Sequence, residues 1–213
     1  CTLYRGRRVA VDVMDDLETA GLAFGRLSAQ FIRDKVVPEL DAVRFASYCG
    51  ISGVTKKEET LADGAATVAA LSAAVTAMDD EEVTATGRYL FITPTLLQGI
   101  NDMDTTKSKK VLEGFEQVIK VPQRRFYTAI KQLSGKTGEE AGGYTKAAGA
   151  ANINFAIVQK DALIQYTKHA APKIIAPENN PDADAYVFGY RMVGIAKAYK
   201  NMLSGMYFSH DKS

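Results

Sequence analysis

A chain of 213 residues with 26 basic and 25 acidic side chains can bury a substantial core as one or two domains, and its net charge of +1 sets up no overall field to attract nucleic acid or an anionic membrane. Two cysteines, Cys1 and Cys49, exclude a disulfide framework, so nothing demands an oxidising compartment. No apolar run approaches the roughly 18 residues of a membrane-spanning helix and no secretory pattern opens the chain, which predicts a soluble protein made in a cytoplasm.

The chain starts at Cys1 without a methionine and runs straight into strand-like sequence, which predicts part of a longer polypeptide. Over residues 3–13, Val9, Val11 and Val13 fall on one face and Arg8, Ala10 and Asp12 on the other, the alternation of a half-buried strand. Arg5, Arg7 and Arg8 crowd its outer end beside Gly6. Such a cluster either grips phosphate or carboxylates bidentately or keeps a strand edge solvated, and a basic strand also suits pairing with a neighbouring subunit.

Residues 15–49 read as one long helix. Ala20, Phe24, Leu27 and Phe31 are spaced by four, three and four, and Val36, Leu40 and Val43 resume the apolar stripe. Asp15 and Glu18 supply a capping acceptor and negative charge at the positive end of the dipole, while Gly50 and Gly53 end the pattern. At roughly 1.5 Å per residue the helix would run about 50 Å, so something must pack along it. Pro38 lacks an amide hydrogen and crowds the preceding turn, which predicts a kink near Val36 and Val37. Two ordinary helices meeting at an angle are the alternative.

Residues 51–63 read as a polar connector and 65–78 as an alanine-rich helix with Val68, Leu71 and Val75 at helical spacing. Then RYLFIT (88–93) forms a short apolar strand, and Pro94 opens a helix in PTLLQGI (94–100). A further short strand is expected at 118–121. The strand-then-helix pattern repeats at NINFAIV (152–158) and QKDALIQYTKH (159–169), predicting an α+β fold whose mixed sheet carries helices on its faces. Glycines 135, 138, 142, 143 and 149 make residues 134–151 a mobile loop or open hairpin. Strands return at KIIAP (173–177) and, after a turn at Asn179, Asn180 and Pro181, over 186–195 and 198–208, with a loose terminus beyond.

Searching these elements for chemistry finds little. Gly135-Lys136-Thr137 imitates the end of a phosphate-binding loop, but the position that must be glycine five residues earlier is Ile130. His169 and His210 are at no metal-ligand spacing from each other or from a cysteine. Cys49, at a helix end, suits packing better than reactivity. Asp79, Asp80, Glu81 and Glu82 could act as acid and base, but four consecutive carboxylates suit a solvated turn. Arg124 and Arg125 beside Phe126 and Tyr127 could stack on a nucleic acid strand, a weak signal in a neutral chain.

The ordered set of pieces is more telling than any one of them. A basic alternating strand leads by VDVMDDLET into a long helix ending KVVPELDAVRFASY. There follow RYLFITPTLLQGI, VPQRRFY, INFAIVQKDALIQYTKHAAPKIIAP and DAYVFGYRMVGIAKAYKNMLSGMYFSH. In order and spacing this resembles the major capsid proteins of tailed bacteriophages and prophages over residues 7–210.

The resemblance implies the shell-protein fold named after phage Hong Kong 97, shared with encapsulins: a long spine helix, peripheral and axial sheets and an extended loop. It implies that residues 1–14 are the returning strand of that loop and 15–64 the spine and connector. Residues 65–170 would be the axial domain and 171–213 the peripheral sheet and C-terminus. The amino-terminal arm and outgoing strand of the family pattern do not precede Cys1 here. The implied function is structural and non-enzymatic, without cofactor or metal: self-assembly into pentamers and hexamers of an icosahedral head enclosing a phage genome. Scaffold and portal proteins would be partners, DNA would be contacted non-specifically at most, and no membrane is involved. The expected location is the virion capsid, after synthesis and assembly in the bacterial cytoplasm. Arg5, Arg7 and Arg8 are the candidate inter-subunit contacts. An encapsulin-like compartment is the alternative use of the fold, and a nucleotide-binding enzyme using Lys136 is a third reading. Some members carry a lysine–asparagine crosslink, which no particular residue here can be assigned.

Overall fold

The computed structural model describes residues 3–13 and 22–212. They form two compact units, one of residues up to 40 with 165–196, the other of 41–164 with those from 197 onward. The larger is built on a five-stranded sheet of β2 (Thr55–Glu58), β3 (Arg88–Ile92), β4 (Gln117–Lys120), β7 (Ile153–Gln159) and β10 (Met206–His210), in the order β2-β10-β7-β3-β4. β7 is antiparallel to both β3 and β10, whereas the outer pairs β10–β2 and β3–β4 are parallel. Every residue of β7 is buried, as expected of a central strand covered on both faces.

One face of this sheet packs against α3 (Gly64–Asp80), α4 (Pro94–Met103) and α5 (Thr106–Glu113). Val68, Leu71, Ala74 and Met78 of α3 meet Leu90, Ile92, Phe155, Ile157 and Tyr207 from the strands, with Leu97 and Ile100 of α4. The helix ends are locally determined. Asp63 accepts the Ala66 amide at 2.7 Å, Pro94 occupies the first turn of α4, and Thr105 and Ser108 form a reciprocal capping box. The approach of α3 to α4 depends on glycine, since a Cβ on Gly64 would lie 2.1 Å from the Gly99 carbonyl oxygen. Phe45 contributes to another cluster, its ring centroid 5.3 Å from that of Phe91 and 4.7 Å from that of Phe126, both edge-on.

The smaller unit holds a three-stranded sheet of β1 (Leu3–Asp12), β9 (Ala185–Ala198) and β8 (Leu163–Ile175), in the order β1-β9-β8. Helical backbone is continuous from residue 22 to 49: α1 (Leu22–Phe31), a π-helical turn (Ile32–Val36) and α2 (Val37–Cys49). The expected irregularity before Pro38 is therefore a π turn, closed by the Val37 amide on the Ile32 carbonyl. It also explains the stripe. Phe31 and Val36 are five apart, one too many for an α-helix, and a π turn absorbs the extra residue. Asp15, Glu18 and Ala20 lie outside the described residues.

Several expectations are corrected. Residues 159–169 are not a helix: after a 3-10 turn (Lys160–Ala162) they enter β8, where Ile164, Tyr166 and Thr167 have the side chains strands favour. The supposed polar connector contains β2, whose pairing with β10 lies about 150 residues away and is invisible to local patterns. The expected strand over 198–208 is a turn followed by β10, with the Tyr199 amide bonded to the Ala162 carbonyl at 3.1 Å. His210 is no loose end, being 8% exposed and paired opposite Ile153. The compact units also divide differently from the expected grouping of 65–170 apart from 171–213. β8 carries residues 165–170 into the smaller unit, and β10 brings the 197–213 segment into the larger.

Candidate subunit interface

The three candidate arginines all lie on β1, which pairs antiparallel with β9 over ten residues from Leu3 opposite Gly194 to Asp12 opposite Ala185. Alternation puts Tyr4, Gly6, Arg8, Ala10 and Asp12 on an exposed face, while Val9 and Val11 are partly covered. The covered face includes Phe188, opposite Val9, whose ring meets Phe31 of α1 edge-on at 6.3 Å.

The structure separates the three side chains. Arg5 turns to the helix side, its Nε 2.6 Å from Oε1 of Glu39 on α2. Arg8 stays on the open face and reaches Asp182 in the β8–β9 turn at 3.4 Å, with both groups largely exposed. Arg7 is exposed and sits opposite Tyr190. Arg191, a contact the sequence reading did not single out, lies over the Tyr4 ring at 4.8 Å and donates to its hydroxyl at 2.5 Å. Its signal is present only once the register of β1 on β9 is known.

The other motifs go to structural roles. Ser134 to Thr137 lie in the loop joining β5 (Ile130–Gln132) to β6 (Tyr144–Lys146), an open hairpin rather than a strand-to-helix phosphate cradle. Glu139 organises that loop. It accepts from Lys131 Nζ and from the Ser134 amide, both at 2.7 Å, and these bonds hold its carboxyl down to about 2. Cys49 is 2% exposed and burial pushes its thiol above the usual range, away from reactivity. Phe126 is fully buried and Arg125 pairs with Asp41 at 3.1 Å, so that cluster is no stacking platform for a nucleic acid strand. Of the four consecutive carboxylates, Asp79 pairs with the buried Arg88 at 2.7 Å. His210 Nδ1 lies 2.8 Å from the Asp211 carbonyl, and the His169 side chain lies outside the described residues. Among the described residues no three His, Cys, Asp or Glu side chains gather as a metal would require, and no helix is long and apolar enough to cross a membrane.

Neither a protein-family model nor a curated relative matches the chain in sequence. Solved structures do match in fold. A virus-like particle from Pyrococcus furiosus superimposes with a TM-score of 0.63 at 9% identity, covering 97% of this chain and 75% of that one. The capsid of cyanophage P-SCSP1u gives 0.57 at 15% identity, covering 99% and 72%. The capsid of Staphylococcus phage Andhra gives 0.56 at 9%, covering 99% and 70%. With its helical run, its five-stranded helix-backed unit and its strand-rich second unit, the chain has the shell-protein fold named after phage Hong Kong 97.

Proposed function

We propose that the chain is a structural shell subunit, a phage major capsid protein whose copies form the pentamers and hexamers of an icosahedral head around a genome. The observation that carries this reading is the fold match to capsids, which extends over 97–99% of the chain. The lack of a gathered catalytic constellation in the described residues accords with a non-enzymatic role. Assembly would draw on many modest contacts, each made at high effective concentration once a ring has begun. On this reading residues 1–14 return from an extended loop. Residues 15–40 and 165–196 belong to a peripheral domain, and the five-stranded unit is axial. Scaffold and portal proteins, non-specific contact with DNA and assembly in the bacterial cytoplasm belong to the same proposal.

Expression of the full chain followed by negative-stain electron microscopy tests it. Closed shells are expected, with nucleic acid inside in the infected or induced cell; a protein that stays monomeric at high concentration overturns it. The likeness to the Pyrococcus furiosus particle favours a second reading, an encapsulin-like compartment. Nucleic-acid-free shells that retain a cargo enzyme through a bound peptide would select it.

A further inference from the structure

Building on the shell reading, we propose that the outer edge of β8 is a docking site for a second copy of the chain, which presents to it the acidic turn at residues 80–82. The two larger sheets treat their edges differently. In the five-stranded sheet the edge strands β2 and β4 have four residues each, and β2 reads Thr-Lys-Lys-Glu with all four exposed, charge that discourages a stray strand from pairing. β8 runs thirteen residues at the edge of its sheet. Gln165, Tyr166, Thr167, Lys168, Lys173 and Ile174 are exposed, so both faces of the strand are bare at these positions. Tyr166 and Ile174 are 62% and 61% exposed. A strand bare on both faces gains little burial to offset the entropy of ordering it, so its extended form calls for a cover. β8 contains no acidic residue, and neither Lys168 nor Lys173 is ion-paired among the described residues. The cover must therefore bring negative charge.

A segment of this kind lies at the end of α3. Asp79, Asp80, Glu81 and Glu82 sit at the C-terminus of a 17-residue helix, where the dipole disfavours carboxylates. Arg88 compensates Asp79 alone. Asp80, Glu81 and Glu82 are exposed and without ion pairs among the described residues. Arg88, itself 2% exposed, also donates to the carbonyls of Val83 and Thr84, which fixes the turn in place. Uncompensated charge held rigidly against a helix dipole violates the local rules that stabilise a subunit, and Lys168 and Lys173 of a second copy supply the missing cations. The contact joins two different patches, the head-to-tail kind from which rings are built.

Charge exchange on the full chain tests this. K168E/K173E and D80K/E81K/E82K should each lower shell yield by about tenfold or more, because a small loss per contact multiplies around a ring, and the five-substitution chain should recover shells. D80K/E81K/E82K suits the α3 dipole, so its unassembled subunit should melt no lower than the parent, separating lost docking from misfolding. In mixed shells, a copy carrying Lys168→Cys should form a disulfide with a copy carrying Glu81→Cys. Parent-like yield from K168E/K173E, or no recovery in the combined chain together with no crosslink, overturns this contact and leaves the shell reading intact. A parent chain that forms no shells removes both.

Discussion

Arg88 illustrates how one side chain can hold a turn. Its guanidinium is buried, yet its three partners are an exposed carboxylate and two main-chain carbonyls from the turn after α3. Arg88→Met would leave the carbonyls of Val83 and Thr84 without their donor. The expected loss is about 2–4 kcal/mol, read by urea denaturation of the unassembled subunit. Of the arginines on β1, Arg5 is tied to Glu39 within its own subunit, so charge reversal there mixes stability with assembly. Arg7→Glu with Arg8→Glu is the cleaner variant. If these residues meet acidic groups on the next subunit, shells are lost while the circular dichroism and melting of the subunit stay as in the parent; normal shells by electron microscopy refute that role. The Glu139 loop supplies a pH test. Its carboxyl is held at about 2 against an ordinary 4.5, so its contribution to loop order is complete above 4.5 and lost as pH falls through about 2. Proteolytic nicking of residues 133–143 by an acid-active protease should rise in that window, and Glu139→Gln should nick readily at neutral pH.

At the scale of elements, what the sequence revealed depended on whether the stabilising contacts were local. β3 and α4 were legible because an apolar run, a proline in the first helical turn and helical periodicity all lie within residues 88–103. The irregularity at Pro38 was equally local, though its form as a π turn depended on the five-residue step from Phe31 to Val36. β2 was not legible, because four polar residues become a strand only beside β10. α5 was overlooked despite its cap, since Lys107, Lys109 and Lys110 mask its short apolar face. β8 was mistaken for a helix because Leu163, Tyr166 and the residues around them fit either period, and only pairing with β9 decides. The candidate interface was partly legible: the arginines were visible as a cluster, but their division between Glu39 and Asp182 required the register. Helix packing offers the sharpest element-scale test. Gly64→Ala puts a methyl carbon 2.1 Å from the Gly99 carbonyl oxygen, so α3 and α4 must separate. A loss of about 2 kcal/mol or more is expected by thermal or urea unfolding, and a parent-like midpoint would show that the helices can slide apart at no cost.

At the scale of the whole molecule, the two units owe their stability to different sources. The five-stranded unit has a continuous apolar core between sheet and helices. The three-stranded sheet has one strand, β8, whose described side chains from 165 to 168 are exposed on both faces, and it gains most from neighbours. That division suits a subunit that must be folded before it meets its copies yet complete only among them. The position of β10 has a further consequence. This strand, made after nearly everything else described, lies between β2 and β7, and Met206 and Phe208 are fully buried. A nascent chain stopped before Met206 would leave β2 with no neighbour and one flank of β7 open, so it could not close the unit. Such a product is expected to be cleared as unfolded protein rather than enter a lattice, where one defective tile could halt its growth. Placing an inner strand at the late end of synthesis thus acts as proofreading of chain length, performed by the fold itself.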